Sequence, residues 1–337
     1  MYRGNSIIGT MYLPSAAFEH MAAIPGARVV ENAMLSNYTR FSIGGPAAVF
    51  FDADDEEAFA AGLTAVAELE VPHIVIGGGT NLVVSDAGFK GIVLRYTGAA
   101  IKQEKLLLGV GSGAVLQDVV DRSIGLGLKG LETMTGIPGF LGGAIYGNAG
   151  AYGHSIQELV RKVRVFDGTG VIELSNEECQ FRYRESVFKS RKRWVILSAD
   201  LEFSEHEKEE LAKTAREIRS IRDAKYPLSM KCAGSIFKNL LLIDLPASVV
   251  AEIPRSVIRE GKVPSAWFLE QAGAKGLRRG DIQIADYHAN LIYNDGAGTA
   301  VDLVAVIGEV KSRVRERFGF ELEEEVQYVG FNGSTPV

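Results

Sequence analysis

The sequence predicts an α+β protein of two or three domains. Three observations carry this. The chain has 337 residues, more than one small core absorbs. Short strand-like and helix-like stretches alternate along its length. Its 38 glycines gather in a few dense loops, where backbone must approach something closely or turn with positive φ. A hydrophobic content of 47% with 23% charged residues suits a chain that buries a real core.

The elements follow in order. Residues 47–52 read as a strand. Asp54 and Asp55 open a helix with Glu56 and Glu57 in its first turn, running to about residue 69. Residues 73–76 complete a β-α-β unit. Gly77-Gly78-Gly79-Thr80-Asn81 then joins strand to strand, because Leu82-Val83-Val84 follows at once. Residues 92–96 and 105–110 are strands. After Gly111-Ser112-Gly113, the spacing of Val115, Leu116, Val119, Val120 and Ile124 predicts a helix, ended by Gly125 and Gly127. Residues 136–153 hold seven glycines and read as neither a regular helix nor a central strand.

Strands follow at 160–167, 170–174 and 194–203, then a helix at 207–225. That helix sets Arg216, Arg219 and Arg222 on one side and Leu211, Ile218 and Ile221 for apolar contact. Arg219 and Arg222 read either as anion ligands or as a solvated face. Pro264 opens a further helix. Thr299 caps the last one, with Leu303, Val304, Ile307, Val310 and Val314 inward and Gly319 as its stop. A strand at 325–329 closes the pattern, and residues 1–32 read as a leading extension.

Bulk properties exclude several functions. The formal net charge is −6, and no basic stripe interleaved with aromatics appears, so nucleic acid is not an expected partner. No run approaches the ~18 apolar residues of a membrane span, and the N-terminus is a poor signal peptide. Cys179 and Cys232 form no metal-ligand spacing, so they are expected to be buried spectators, with no metal site, in a reducing cytoplasm. No feature reports the oligomeric state, and a monomer is the expectation.

Two glycine loops are candidates for nucleotide binding. Residues 109–114 (GVGSGA) match a dinucleotide fingerprint, with Glu132 at about the right distance for its acid. The return strand that such a unit requires is missing. Gly77, Gly78, Gly79, Thr80 and Asn81 make a better anion nest, since consecutive glycines let several amides face one phosphate. The alternative is a glycine-rich turn without a ligand. The 136–153 segment suits a planar ligand lying flat on bare backbone, or else a buried irregular loop.

Six segments then resemble the UDP-N-acetylenolpyruvoylglucosamine reductase (MurB) family, in the family's order: residues 37–47, 75–86, 136–153, 181–189, 233–239 and 322–330. The resemblance implies a two-lobed FAD-binding module of the vanillyl-alcohol-oxidase (PCMH) type plus a smaller α+β substrate-binding domain. Boundaries on that basis are 33–100 and 101–205 for the two lobes, 206–320 for the substrate domain and 321–337 for a C-terminal strand. It also implies non-covalent FAD, NADPH as hydride donor and a small UDP-sugar substrate.

By motif, the FAD pyrophosphate belongs on Gly77 to Asn81. The flavin ring belongs near Gly136, Ile137, Pro138, Gly139 and Gly143, with Gly150 close by. Tyr152 is implied to face the substrate. Arg184, Ser235 and Glu325 match the catalytic set. Leu240 stands where the family usually has Pro, which puts the turn after Asn239 in question. One branch of the family inserts a long tyrosine-bearing loop between the catalytic Arg and Ser, and this chain resembles the branch without it.

The implied chemistry suits these groups. Hydride addition to an enolpyruvyl double bond builds negative charge beside a carboxylate. Arg184 would stabilise it with a permanently charged fork, and Ser235 would supply the quenching proton. Glu325 beside an anion would have to carry or share a proton. Without the resemblance each has a plainer reading: a surface Arg, a turn Ser and a solvated acidic run. Lys225 and Lys275 are candidates for the substrate diphosphate, with Asn239 and Asn290 as hydrogen-bonding partners. The rival readings are another FAD-dependent oxidase or dehydrogenase, and a non-catalytic flavin-binding protein.

Overall fold

A computed structural model of the chain describes residues 13–331. The chain divides into two compact units. One comprises the segment up to Ala33, Pro46–Gly78 and Phe89–Arg222; the other comprises Met34–Gly45, Gly79–Gly88 and the chain from Asp223.

The first unit contains two main sheets. One runs Ala27–Met34, Pro46–Ala53, Phe89–Tyr96, His73–Ile76 in spatial order, and its last three strands are mutually parallel. Helix Glu56–Glu68 makes the crossover between Pro46–Ala53 and His73–Ile76. Its N-cap is Asp55, whose carboxylate accepts from the Ala58 amide at 2.9 Å. Phe51, Phe59 and Leu94 are buried between helix and sheet. The second sheet runs Val171–Ser175, Val160–Phe166, Val195–Glu202, Leu107–Gly111, Ile101–Glu104 and is antiparallel throughout. Helix Leu116–Leu126 closes its core with Leu116, Val119 and Val120, and ends at Gly127 with φ 74°.

Three expectations change here. The leading extension is not a loose lead: helix Leu13–Ala22 and strand Ala27–Met34 belong to the first unit, with Ala17 and Met21 buried among Val49 and Phe59. Residues 1–12 of that expected extension lie outside the described residues. Nor is 33–100 one lobe, since 34–45 and 79–88 group with the second unit. Thirdly, the glycine-dense segment contains a short helix, Leu141–Tyr146. Leu141, Ala144 and Ile145 bury one face of it, and that apolar anchoring outweighs the cost of two glycines.

The fingerprint-like loop is explained by its own chain. A Cβ on Gly111 would stand 2.3 Å from the Gly98 carbonyl oxygen, and one on Gly113 would stand 2.4 Å from the Thr97 carbonyl carbon. These glycines let two backbone segments cross. The preceding strand is antiparallel to both neighbours, which a dinucleotide-binding unit forbids. Glu132 is buried and accepts from the Gly130 amide.

The second unit is built on an antiparallel sheet ordered Lys231–Ser235, Leu291–Asn294, Ile282–Ile284, Arg278–Arg279. Helix Ala300–Phe318 covers it with Leu303, Val306, Ile307, Val310 and Val314; Val306 is buried where Val304 was expected. Thr299 accepts from the Asp302 amide, and Gly319 ends the helix with φ 77°. A separate parallel pair joins Leu82–Val84 to Gln327–Val329. The closing strand thus begins at Gln327 rather than at residue 325. Cys179 and Cys232 are both buried, and burial pushes the Cys179 thiol up to about 12. Among the described residues no helix is long and apolar enough to cross a membrane.

Met21 is fully buried. Met21→Ala should therefore cost the first unit about 2–5 kcal/mol, read as a fall in its thermal unfolding midpoint. A midpoint equal to wild type would show that the N-terminal helix is dispensable.

Candidate active site

In the first unit the two glycine-dense segments meet. A Cβ on Gly78 would lie 3.1 Å from the Cα of Gly139, and one on Gly77 would lie 3.8 Å from Phe140. Gly139 and Gly136 have φ of 111° and 78°, which favour glycine. Gly143 sits on the short helix facing open space, with nothing within 4 Å of a Cβ placed there. Among the described residues the Gly78 amide donates to no protein carbonyl. The result is a stretch of bare, concave backbone with an amide available, a cradle that fits a planar ligand carrying phosphate.

Side chains frame this stretch. The Gly136 amide donates to Gln117 Oε1 at 2.7 Å. Ile137 is half-buried against the core, and Pro138 is exposed. A Cβ on Gly136 would stand 3.1 Å from Arg222 Nε and 3.5 Å from Arg219 Nη1. Arg219 and Arg222 are therefore half-buried over the Gly136 turn rather than on a solvated face, while Arg216 is exposed.

Arg184 is tied to the same glycine segment. Its Nη2 donates to the Gly150 carbonyl at 2.9 Å and its Nη1 to the Asn148 carbonyl at 3.4 Å. The guanidinium stands 5.5 Å over the Tyr183 ring. Asn148, missed in the sequence, links the two parts: its Nδ2 donates to the Arg182 carbonyl at 2.7 Å and to Gln157 Oε1 at 3.0 Å. Asn148, Tyr152 and Arg184 all have left-handed φ, at 42°, 53° and 56°. Such backbone in non-glycine residues costs energy and gathers at functional sites. Tyr152 is exposed. The interval from Arg184 to Ser235 is taken up mainly by strand Val195–Glu202 and helix Lys208–Lys225, with no long loop.

The second unit gathers Asn81, Ser235 and Glu325. Gly79 has φ 63°, and a Cβ there would lie 1.7 Å from the Tyr38 carbonyl oxygen, so its own chain demands glycine. Thr80 is half-buried beside it. Asn81 belongs to the loop expected at the pyrophosphate, but its side-chain Nδ2 donates to the Glu325 carbonyl at 2.8 Å, and its main-chain carbonyl accepts from the Gln327 amide at 3.0 Å. The Glu325 amide donates to the Ile236 carbonyl at 2.7 Å, which sets Glu325 beside the Ser235 segment. Of the acidic run, Glu323 pairs with Lys238 and Glu324 with Lys311. All three of these glutamates precede the strand Gln327–Val329.

Ser235 ends a strand whose register slips between Cys232 and Ser235. Gly234 makes the bulge with φ 76°, and a Cβ there would meet nothing. Glycine is needed for the conformation rather than for space, and the bulge re-aims the next side chain. The Tyr226 hydroxyl lies 3.3 Å from Ser235 Oγ.

The expected diphosphate ligands divide. Lys225 ends its helix with Nζ 5.0 Å over the Tyr226 ring, and its carbonyl accepts from Tyr287. Lys275 is exposed and pairs with Glu270 at 3.1 Å. Asn239 is exposed, its Oδ1 accepting from the Ser265 amide. Asn290 is a correction. It is 2% exposed, its Nδ2 donates to Phe237 O and Ser265 Oγ, and its Oδ1 accepts from the Phe237 amide. Those bonds occupy the amide internally, so it clamps the unit and is withdrawn as a substrate ligand. Leu240, where Pro was expected, begins a strand that pairs with Lys262–Val263.

Comparison with known proteins bears on the whole chain. The FAD binding domain family matches residues 46–175, and the C-terminal domain family of UDP-N-acetylenolpyruvoylglucosamine reductase matches residues 226–329. The enzyme of that name from Solibacter usitatus is 56% identical over 310 residues, covering 92% of this chain and 99% of the relative. The one from Bacillus subtilis is 33% identical over 309 residues, covering 90% and 95%. The crystal structure of the Thermus caldophilus enzyme superposes with a TM-score of 0.71 at 30% identity, covering 90% of this chain and 99% of that one.

His288 was not foreseen as a titrating group. Burial, then the positive charges of Lys225 and Lys275, push its imidazole from 6.5 down to about 4. The unfolded chain therefore binds this proton more tightly than the folded one. The stability tied to neutral His288 should be complete above about pH 6.5, fall as pH drops toward 4, and level off below. Urea unfolding at pH 7 and pH 4.5 checks this: His288→Gln should lose up to about 3 kcal/mol less than wild type over that interval. Parallel losses would remove His288 from the account.

Proposed function

The chain belongs to the UDP-N-acetylenolpyruvoylglucosamine reductase family, and on that premise we propose that Arg184, Ser235 and Glu325 manage the charge and proton of its reaction. That reaction is the reduction by NADPH of the enolpyruvyl ether of a UDP-sugar to a lactyl ether, in peptidoglycan synthesis. FAD, when bound, would supply the redox chemistry, linking NADPH as hydride donor to the enolpyruvyl double bond.

The bare backbone of Gly77, Gly78, Gly139 and Gly143 would hold the flavin nucleotide, with Gly136, Ile137, Pro138 and Gly150 framing it. Gly79, Thr80 and Asn81 continue the nest through their main chain. Arg184, fixed by two carbonyls of the glycine segment, would present its fork to the substrate carboxylate and stabilise the charge that grows beside it. Ser235 would give the proton to the carbon bearing that charge. Glu325 would share a proton near the same carboxylate. Lys225, Lys275 and Asn239 remain candidates for the diphosphate, with Tyr152 against the sugar. NADPH and nucleotide sugars both support a cytoplasmic location.

One observation carries the assignment of the acid and the hydroxyl. The Glu325 amide is bonded to the Ile236 carbonyl while Asn81 holds the Glu325 carbonyl, so residues far apart in sequence are fixed beside Ser235.

The purified protein should be yellow and bleach with NADPH. Ser235→Ala should keep that bleaching while slowing reoxidation by the enolpyruvyl substrate about 10²–10⁴-fold, the usual scale of a lost general acid. Stopped-flow absorbance separates the two half-reactions. Equal loss of both would remove the proton-donor role. Glu325→Gln at full activity would show that no ionisable group is needed there.

A further inference from the structure

The Ser235 hydroxyl has a side-chain partner in Tyr226. The Tyr226 hydroxyl is 3.3 Å from Ser235 Oγ, and either oxygen can donate. Tyr226 is half-buried, packed on the second unit's core, with Lys225 Nζ 5.0 Å from its ring centroid. Ser235 is equally constrained, at the end of a bulged strand opposite Leu291.

A serine that delivers a proton to carbon needs two things. Its hydrogen must point at the substrate, and its oxygen must tolerate the charge left behind. A neighbour that donates to Oγ supplies both, since it occupies a lone pair and turns the serine hydrogen outward. Phenols are far stronger acids than aliphatic alcohols, so such a neighbour can also refill the serine.

We propose that Tyr226 is the positioning residue for Ser235 and its proton source during each transfer. The proposal rests on the reading of Ser235 as proton donor. In the step, the Ser235 O–H bond breaks as the new substrate C–H bond forms. In the same transition state the Tyr226 O–H bond breaks as the Ser235 O–H bond re-forms, and water afterwards reprotonates the phenolate. No electrons move in the relay, and the net proton comes from solvent.

The test uses the full-length holoenzyme. Tyr226→Phe keeps the ring and its packing but removes the hydroxyl. Expected results are an unchanged flavin spectrum, an unchanged rate of bleaching by NADPH and an unchanged substrate Kd by equilibrium titration. Substrate-driven reoxidation should slow at least about 10-fold. In mixtures of H₂O and D₂O the reoxidation rate should show a bowed dependence in wild type, for two protons in flight, and a straight one in Tyr226→Phe. A structural role alone would not produce that change.

On a Ser235→Ala background, the Phe substitution should cost nothing further. Wild-type reoxidation in Tyr226→Phe would overturn the proposal. So would a weaker Kd with an unchanged maximal rate, which would make Tyr226 a substrate contact. So would additive losses in the double variant. Normal reoxidation in Ser235→Ala alone would instead sink the reading of Ser235, an outcome separable from the rest.

Discussion

Two stretches of main chain, at Gly77–Gly78 and at Gly139, lie together, with the Phe140 side chain alongside. The surroundings hold that approach open. The short helix Leu141–Tyr146 buries Leu141, Ala144 and Ile145 on one face and leaves Gly143 bare on another. Gln117 bonds the Gly136 amide, and Arg219 and Arg222 pack over that turn. A methyl group at Gly78 would press on Gly139 backbone, which yields less readily than a side-chain tip. Cofactor binding here depends on what has been left out of the chain.

Placement of reactive groups follows a different logic. Arg184 is set by carbonyls of the glycine segment, and its turn is held through Asn148. Glu325 is anchored through its main chain: its amide donates to Ile236 and its carbonyl accepts from Asn81. Ser235 is aimed by a bulge at Gly234. Backbone groups thus do most of the positioning: carbonyls hold the Arg184 guanidinium, and main-chain bonds hold Glu325, a form of preorganisation.

What was legible in the sequence was local. Asp55, Thr299 and Gly319 act within one turn of where they stand, so caps and stops could be read directly. The glycine motifs pointed to ligand binding because their density exceeds what turns need. Long-range partnership was not legible. Ala17 and Met21 look like part of a tag until Val49 and Phe59 are packed against them. Asn290 has the right chemistry for a phosphate ligand, but Phe237 and Ser265 consume it. Asn81 likewise bonds across 244 residues to the Glu325 carbonyl. Tyr226 and Ser235 meet across a turn that no periodicity announces.

The parallel pairing of Leu82–Val84 with Gln327–Val329 bears on how the molecule is made. Strand Leu82–Val84 leaves the ribosome some 244 residues before the segment it needs. At about 5–20 residues per second, that gap is on the order of tens of seconds. Meanwhile its edge is unpaired, and the asparagine that will grip the acid has nothing to hold. The hydroxyl strand and its neighbours in the sheet can form first, but the acid arrives last. A nascent chain can therefore complete its cofactor-binding sheets well before it is competent for chemistry.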